Sequence, residues 1–169
     1  MTFSRYTLRT LTGAAFLLLS LVVCSLVNLV PEAVAQDEGH CVAVGGALMT
    51  NIGAIAGVTN LGPVFGDLSG SVAATILGQN SDGTFNIQHY WVTSAGDTIT
   101  LKMAVLTPTF PVTGDPGIVA VPWGNYRSDI SGGTGKFKGA TGYLDYLGMA
   151  DFHQNTLVLR YRGKVCYKH

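Results

Sequence analysis

The sequence has few charges and no excess of either sign. Only 12% of its 169 residues are charged, with ten basic and ten acidic side chains. A chain without a basic face lacks the electrostatic footprint of a nucleic-acid-binding protein. The absence of long charged runs also argues against a solvated, disordered tail. We therefore expect a folded domain with no nucleic-acid partner.

The sequence also lacks any long helical pattern. Its apolar residues do not repeat at the 3.6-residue period of an α-helix, and short alternating runs separated by turn residues take that place. Alternation is typical of half-buried strands in antiparallel sheets. The glycine-rich segment 51–66 is the least regular, and we expect either a loop over one end of the fold or a strand with bulges. In two successive strands the alternation places these side chains inward: Phe85, Ile87, His89, Trp91, Ile99, Leu101, Met103 and Val105.

The N-terminal segment carries the pattern of a secretory signal peptide. Arg5 and Arg9 precede a mostly apolar run over residues 10–30, and Ala33-Val34-Ala35 forms a small-x-small cleavage site. We expect residues 1–35 to be removed and residues 36–169 to form a single β-barrel domain in a secreted or periplasmic protein, without membrane attachment. The alternatives are a retained membrane anchor, or a lipoprotein with Cys24 as the acceptor.

Cysteine is scarce, and its placement is informative. Beyond the signal peptide only Cys41 and Cys166 remain, one at each end of the domain, and in an exported chain they predict a disulfide. Strand alternation puts both on the outer face, so a bond between them requires adjacent first and last strands and hence a closed barrel. Two free thiols are one alternative. A metal site that adds His40 and His169 to the cysteines is the other.

The segment Ser131–Tyr143, "SGGTGKFKGATGY", has five glycines but not the order of a phosphate-binding loop. Such a loop needs Gly-Lys-Ser/Thr before a helix, whereas Phe137 follows Lys136 here and no helical pattern comes after it. The well-patterned strands on either side argue against a flexible linker. We expect a sharp corner between two strands, in which the glycines permit positive φ and Phe137 packs beneath the turn.

The same segment resembles a signature of the allene oxide cyclase and dirigent-type barrels, and more closely of their uncharacterised bacterial secreted relatives. The matching residues are Gly132, Gly133, Thr134, Gly135, Phe137, Gly139, Ala140 and Gly142. The upstream "HYWVTSAGDTITLKMAVLTPT" is also similar, and the likeness covers roughly residues 84–167. The resemblance implies an all-β fold, an eight-stranded antiparallel barrel of calycin-like shape. It implies no catalytic residue, because the signature glycines are architectural in that group.

His89 is the most suggestive candidate for a functional residue. The alternation puts it on the inner face between Ile87 and Trp91, where it can act as an acid, a base or a hydrogen-bonding partner of a ligand. The simpler interpretation is a core histidine whose hydrogen bonds are satisfied.

Trp91, Met103 and Tyr126 are candidates to line an apolar pocket with His89. Core packing is the simpler interpretation of all three, and Pro122 and Gly124 mark a bulge that leaves the orientation of Tyr126 open. The sequence contains no recognisable catalytic constellation, and we predict no metal and no cofactor.

Three functions agree with these observations. An exported barrel can bind a small hydrophobic molecule without changing it, which we favour. It can also act as an isomerase or cyclase on an apolar substrate, as the family resemblance implies. A purely structural barrel would instead have a filled interior.

Overall fold

The structure is a computed structural model that describes residues 40–110 and 114–168. The predicted signal peptide, residues 1–35, lies outside the described residues. Within them the regular structure consists of strands and one turn of 3-10 helix at Gly135–Phe137. The strands are β1 Cys41–Ile55, β2 Thr59–Gly66, β3 Gly70–Gln79, β4 Phe85–Thr93, β5 Thr98–Leu101, β6 Ala104–Leu106, β7 Ile118–Val121, β8 Tyr126–Gly133, β9 Thr141–Asp151 and β10 Thr156–Cys166.

The strands close into an eight-stranded antiparallel barrel, as predicted. Around the ring the order is β1, β2, β3, β4, β6, β8, β9 and β10, and β10 pairs with β1. Two positions of the ring are interrupted strands. β5 and β6 both pair with β4 and β8, and β7 and β8 both pair with β9. The closed ring leaves no long unpaired edge among the eight positions.

A disulfide joins the first and last strands of the ring. Cys41 and Cys166 are directly opposite in the β1–β10 register, and their sulfur atoms are bonded. Both lie toward the outer face, as strand parity requires. The predicted disulfide is therefore confirmed, and the metal-site alternative loses its two thiolate ligands to this bond.

One end of the barrel is tightly packed. Trp91 is 1% exposed, donates its indole N–H to the Leu68 carbonyl at 3.0 Å, and meets Tyr161 edge-to-face at 5.4 Å between ring centroids. The Tyr161 hydroxyl accepts a hydrogen bond from the Leu68 N–H at 3.0 Å and donates to the Phe65 carbonyl at 3.2 Å. These contacts satisfy the side-chain polar atoms of Trp91 and Tyr161. The two packed rings close this end of the barrel.

The segment Ser131–Tyr143 forms the predicted corner between β8 and β9. Its 3-10 turn holds Phe137, which is fully buried against Tyr167 at 5.7 Å between ring centroids. The Thr134 hydroxyl accepts a hydrogen bond from the Thr98 N–H at 2.8 Å and so attaches the corner to β5. The turn leads into β9 and not into a helix, which agrees with its exclusion as a phosphate-binding loop.

Two local expectations are resolved by interruptions in the strands. The irregular segment 51–66 is a bulged pair of strands, since the β1–β2 register shifts between Asn51 and Ile55. The expected inward orientation of Met103 is wrong. The strand is interrupted between Leu101 and Ala104, and the interruption reverses the alternation of side chains. Ala104 is therefore buried and Met103 is 52% exposed. The same reversal places Val105 outside.

Candidate functional site

The end of the barrel opposite the packed end contains a cavity of about 430 Å³. Strands around the ring form its wall, and each contributes inward residues from the part of the strand nearest this end of the barrel. Apart from Asn60 and Tyr126, the lining side chains are hydrocarbon: Ile52, Ala74, Ile76, Phe85, Ile87, Leu106, Pro108, Phe110, Pro116, Val119, Val121, Ala150, Phe152, Leu157 and Leu159. A concave, mostly apolar space with a few polar groups is the usual form of a small-molecule site.

Asn60 is the polar group on the wall. It is 9% exposed, and its Oδ1 accepts a hydrogen bond from the Gly53 N–H at 3.0 Å. This bond fixes the bulge of β1 against β2. The side-chain oxygen of Asn60 is thus already engaged in holding the wall.

Tyr126, His89 and Ser128 form a hydrogen-bonded chain at the floor of the cavity. The Tyr126 hydroxyl lies 2.6 Å from Nε2 of His89, and the Ser128 hydroxyl lies 3.2 Å from Nδ1 of the same ring. Tyr126 lines the cavity, whereas His89 and Ser128 lie behind it and are 4% and 1% exposed. Both ring nitrogens are therefore partnered, as a buried imidazole requires.

The orientation of these rings follows from strand register. Tyr126 and Ser128 are alternate residues of β8 and share its inner face, and His89 projects inward from β4. Tyr146 of β9 stacks on His89 at 5.6 Å and contacts Tyr126 at 4.7 Å, both between ring centroids. Its fully buried hydroxyl lies near Ser128 without a hydrogen bond to any described residue. Three aromatic rings thus hold one another in place.

Burial keeps the floor uncharged. It lowers the pKa of His89 to about 4, so the imidazole is neutral at pH 7. Burial also raises the pKa of the Tyr126 phenol well above its usual value, with Tyr146 adding to the effect, and burial raises the pKa of Tyr146. The floor can donate and accept hydrogen bonds, but it offers no charge to a ligand.

A hydrogen-bonded histidine–aspartate pair lies at the rim of the cavity. His153, in the β9–β10 turn, meets Asp115 with 2.9 Å between Nε2 and Oδ1. The hydrogen bond that His153 donates to the Asp115 carboxylate raises the pKa of His153 and lowers the pKa of Asp115. Their chain neighbours Phe152 and Pro116 line the cavity, so the pair holds two parts of the rim together.

The structure separates the four predicted pocket residues. Tyr126 lies on the cavity surface and His89 directly behind it, whereas Trp91 belongs to the packed end and Met103 lies outside the barrel. Sequence reasoning missed Ser128. Its spacing of two residues from Tyr126 was the available signal, because alternation puts both on one face.

Other kinds of site find no support in the part of the chain that the structure describes. No cluster of three or more His, Cys, Asp or Glu side chains in residues 40–110 and 114–168 is arranged to hold a metal ion. In the same residues, no helix has the length and apolar character needed to span a membrane.

Known proteins that resemble this chain are distant in sequence. No protein-family model matches the chain, and no curated protein sequence matches it. Among solved structures it is similar to a pterocarpan synthase dirigent protein, at 16% identity and a TM-score of 0.34, over 83% of this chain and 96% of that one. The strand pairing of this chain itself defines the barrel, and the cavity defines its candidate site.

Proposed function

We propose that this protein is an exported β-barrel that binds a small hydrophobic molecule in the open end of the barrel. The observation that carries the proposal is the cavity of about 430 Å³ with an almost wholly hydrocarbon lining. Removing apolar ligand surface from water supplies about 25 cal/mol for each Å² buried. Among the residues that the structure describes, no Asp, Glu, Lys or Arg lines the cavity, so a charged ligand there would lose hydration without compensation.

Filling the cavity tests the proposal. Ala74 lines the cavity and is 8% exposed, so Ala74→Phe directs a benzyl group into it. Ala73, its neighbour in β3, faces the opposite side of the sheet and provides the matched control Ala73→Phe. We expect Ala74→Phe to weaken binding of the dye N-phenyl-1-naphthylamine by about tenfold or more, ~1.4 kcal/mol, and Ala73→Phe to leave it unchanged. Equal dye affinity in both variants and the parent would contradict the proposal.

A second candidate function is an isomerase or cyclase that acts on an apolar substrate. It is favoured by the neutral Tyr126–His89 pair at the floor, which can exchange hydrogen-bonding roles with a reacting oxygen. It also agrees with the family resemblance of the segment Ser131–Tyr143. Mass spectrometry of purified protein for a co-purifying apolar molecule separates the two candidates. A bound, unchanged ligand supports binding, whereas no ligand together with turnover of an epoxide or polyene supports catalysis.

Export is supported by the Cys41–Cys166 disulfide, because such bonds persist in oxidising compartments. The intact mass of protein recovered outside the cytoplasm tests this part of the proposal. We expect a chain that begins at Gln36 and lacks the two hydrogens of the reduced thiols. Recovery only as a reduced chain that retains residues 1–35 would contradict it.

A further inference from the structure

We propose that Tyr126 is the polar anchor of the cavity and that the ligand is an uncharged, otherwise apolar molecule with a carbonyl or ether oxygen at the end that reaches the barrel floor. This inference rests on the proposed binding function and deepens it. It assigns both a specificity-determining residue and the chemical class of the ligand.

The described lining of the cavity offers few polar atoms to a ligand. Among the described residues, Asn60 and Tyr126 are the polar side chains of the lining. The Asn60 oxygen is occupied by the Gly53 N–H, and the Asn60 amide N–H₂ group belongs to the wall beside the β1–β2 bulge and not to the floor. Within the described part of the chain, the Tyr126 hydroxyl makes one hydrogen bond, to His89. A phenolic hydroxyl has one proton and two acceptor sites, so this bond leaves part of its capacity unused. Tyr126 is therefore the group best placed to meet a polar atom of a ligand at the floor.

The direction of the hydrogen bond between Tyr126 and His89 depends on the tautomer of His89. A neutral imidazole carries its proton on either nitrogen, and here each nitrogen has a hydroxyl partner. With the proton on Nδ1, His89 donates to Ser128 and accepts from Tyr126. With the proton on Nε2, His89 donates to Tyr126 and accepts from Ser128, so the Tyr126 proton is free to point into the cavity. The change from one tautomer to the other keeps both buried hydrogen bonds.

The Tyr126 hydroxyl restricts which polar atom of a ligand can lie at the floor. Because the second tautomer presents a donor, the matching ligand atom is an acceptor. A ligand hydroxyl or amide could donate to the Tyr126 oxygen in the first tautomer, but the remaining oxygen of either group would then face a hydrocarbon wall without a partner. A carboxylate is disfavoured because the lining formed by residues 40–110 and 114–168 contains no cationic side chain. A carbonyl or ether oxygen meets both conditions.

A matched pair of ligands tests the inference. 2-Acetylnaphthalene and 2-isopropenylnaphthalene share one shape, and a CH₂ group in the second replaces the carbonyl oxygen of the first. Their affinities are measured by displacement of N-phenyl-1-naphthylamine from the parent protein and from Tyr126→Phe, which keeps the ring that lines the cavity. We expect the substitution to weaken the ketone by about three- to tenfold, the effect of one neutral hydrogen bond, and to change the hydrocarbon less than about twofold.

The outcomes separate this inference from the proposed function. Binding of both ligands with no selective loss of the ketone in Tyr126→Phe overturns the inference and leaves the binding function standing. If neither the dye nor either ligand binds the parent protein, the proposed function fails, and the inference fails with it.

A second measurement requires no variant. The carbonyl stretching band of 2-acetylnaphthalene bound to the parent protein should lie at lower frequency than in hexane, because a hydrogen bond weakens the C=O bond. A band at the hexane position shows a carbonyl without a donor and overturns the inference. The nitrogen-15 chemical shifts of the His89 ring should also show that the ring proton lies on Nε2 when the ketone is bound.

Discussion

His89 shows how burial alone can decide the behaviour of a residue. Its ring is held between Tyr126, Ser128 and Tyr146, none of which carries a charge at pH 7. Without a nearby carboxylate to stabilise an imidazolium, desolvation is the cause of its lowered pKa. The residue is therefore built to remain neutral, which suits a relay of hydrogen bonds better than the transfer of charge.

The lowered pKa of His89 predicts a loss of stability in acid. Between pH 6.5, where the histidine of the unfolded chain titrates, and about pH 4, where the folded one does, only the unfolded state binds the proton. The contribution of His89 to the free energy of unfolding is thus fully present above pH 6.5 and falls as the pH falls. The total loss amounts to at most about 3 kcal/mol. Urea unfolding at about pH 7 and about pH 4.5 measures it.

His89→Gln is the comparison for this prediction, since it removes the titrating group and retains hydrogen-bonding atoms. The exposed pair His153–Asp115 also titrates in acid, but it is present in both proteins and cancels in the difference. We expect the variant to lose less stability between the two pH values than the parent. Equal losses would show that His89 titrates alike in the folded and unfolded chains.

At the scale of single elements, the corner between β8 and β9 depends on a glycine. Gly135 has a φ of +52°, and a Cβ there would overlap the carboxylate of Asp97 in the β4–β5 turn. Gly83 also has positive φ, at +85°, but has open space around its Cα. Gly135→Val and Gly83→Val therefore share backbone strain of about 1–3 kcal/mol, and only the first adds a collision.

We expect Gly135→Val to lower the thermal midpoint clearly more than Gly83→Val does. Circular dichroism melting curves of the two variants and the parent provide the measurement. Similar midpoints for the two variants would mean that the corner yields to the added side chain, and the close approach to Asp97 would then be unimportant for the fold.

The strands could be predicted from the sequence wherever alternation was unbroken. It placed Ile87, His89 and Trp91 on the inner face, as the structure does. It failed at Met103 because Lys102 and Met103, which lie between β5 and β6, both face outward and so shift the parity. Nothing in the local composition indicates such an interruption. Closure was predictable because two cysteines of equal parity restrict which strands can be neighbours.

The site was harder to predict than the fold, and the reason is geometric. Trp91 and Tyr126 are both buried aromatic residues on inner strand faces, but Trp91 packs in the closed end and Tyr126 faces the cavity. Which end stays open depends on residues far apart in the chain, such as Leu68, Tyr161 and Phe137, that converge on one end of the barrel. Their convergence is a property of the closed ring and cannot be read from any one strand.

At the scale of the whole molecule, the disulfide closes a loop of nearly the entire domain. Cys41 and Cys166 are 125 residues apart, and the chain-entropy model assigns such a bond about 4–5 kcal/mol. We expect Cys41→Ala to lower the thermal midpoint in non-reducing buffer and to match the parent when both are measured in reductant. Free thiols that titrate in the native, oxidised parent protein would contradict this prediction.

The position of the same bond also determines how the barrel would carry tension. Cys41 begins β1 and Cys166 ends β10, and the two stand side by side across the seam of the ring. Force applied through these two ends would pass directly from one sulfur to the other and would bypass the strands between them. The oxidised barrel would then behave as a short, inextensible link, whereas the reduced barrel would bear the load on the hydrogen bonds of the β1–β10 seam.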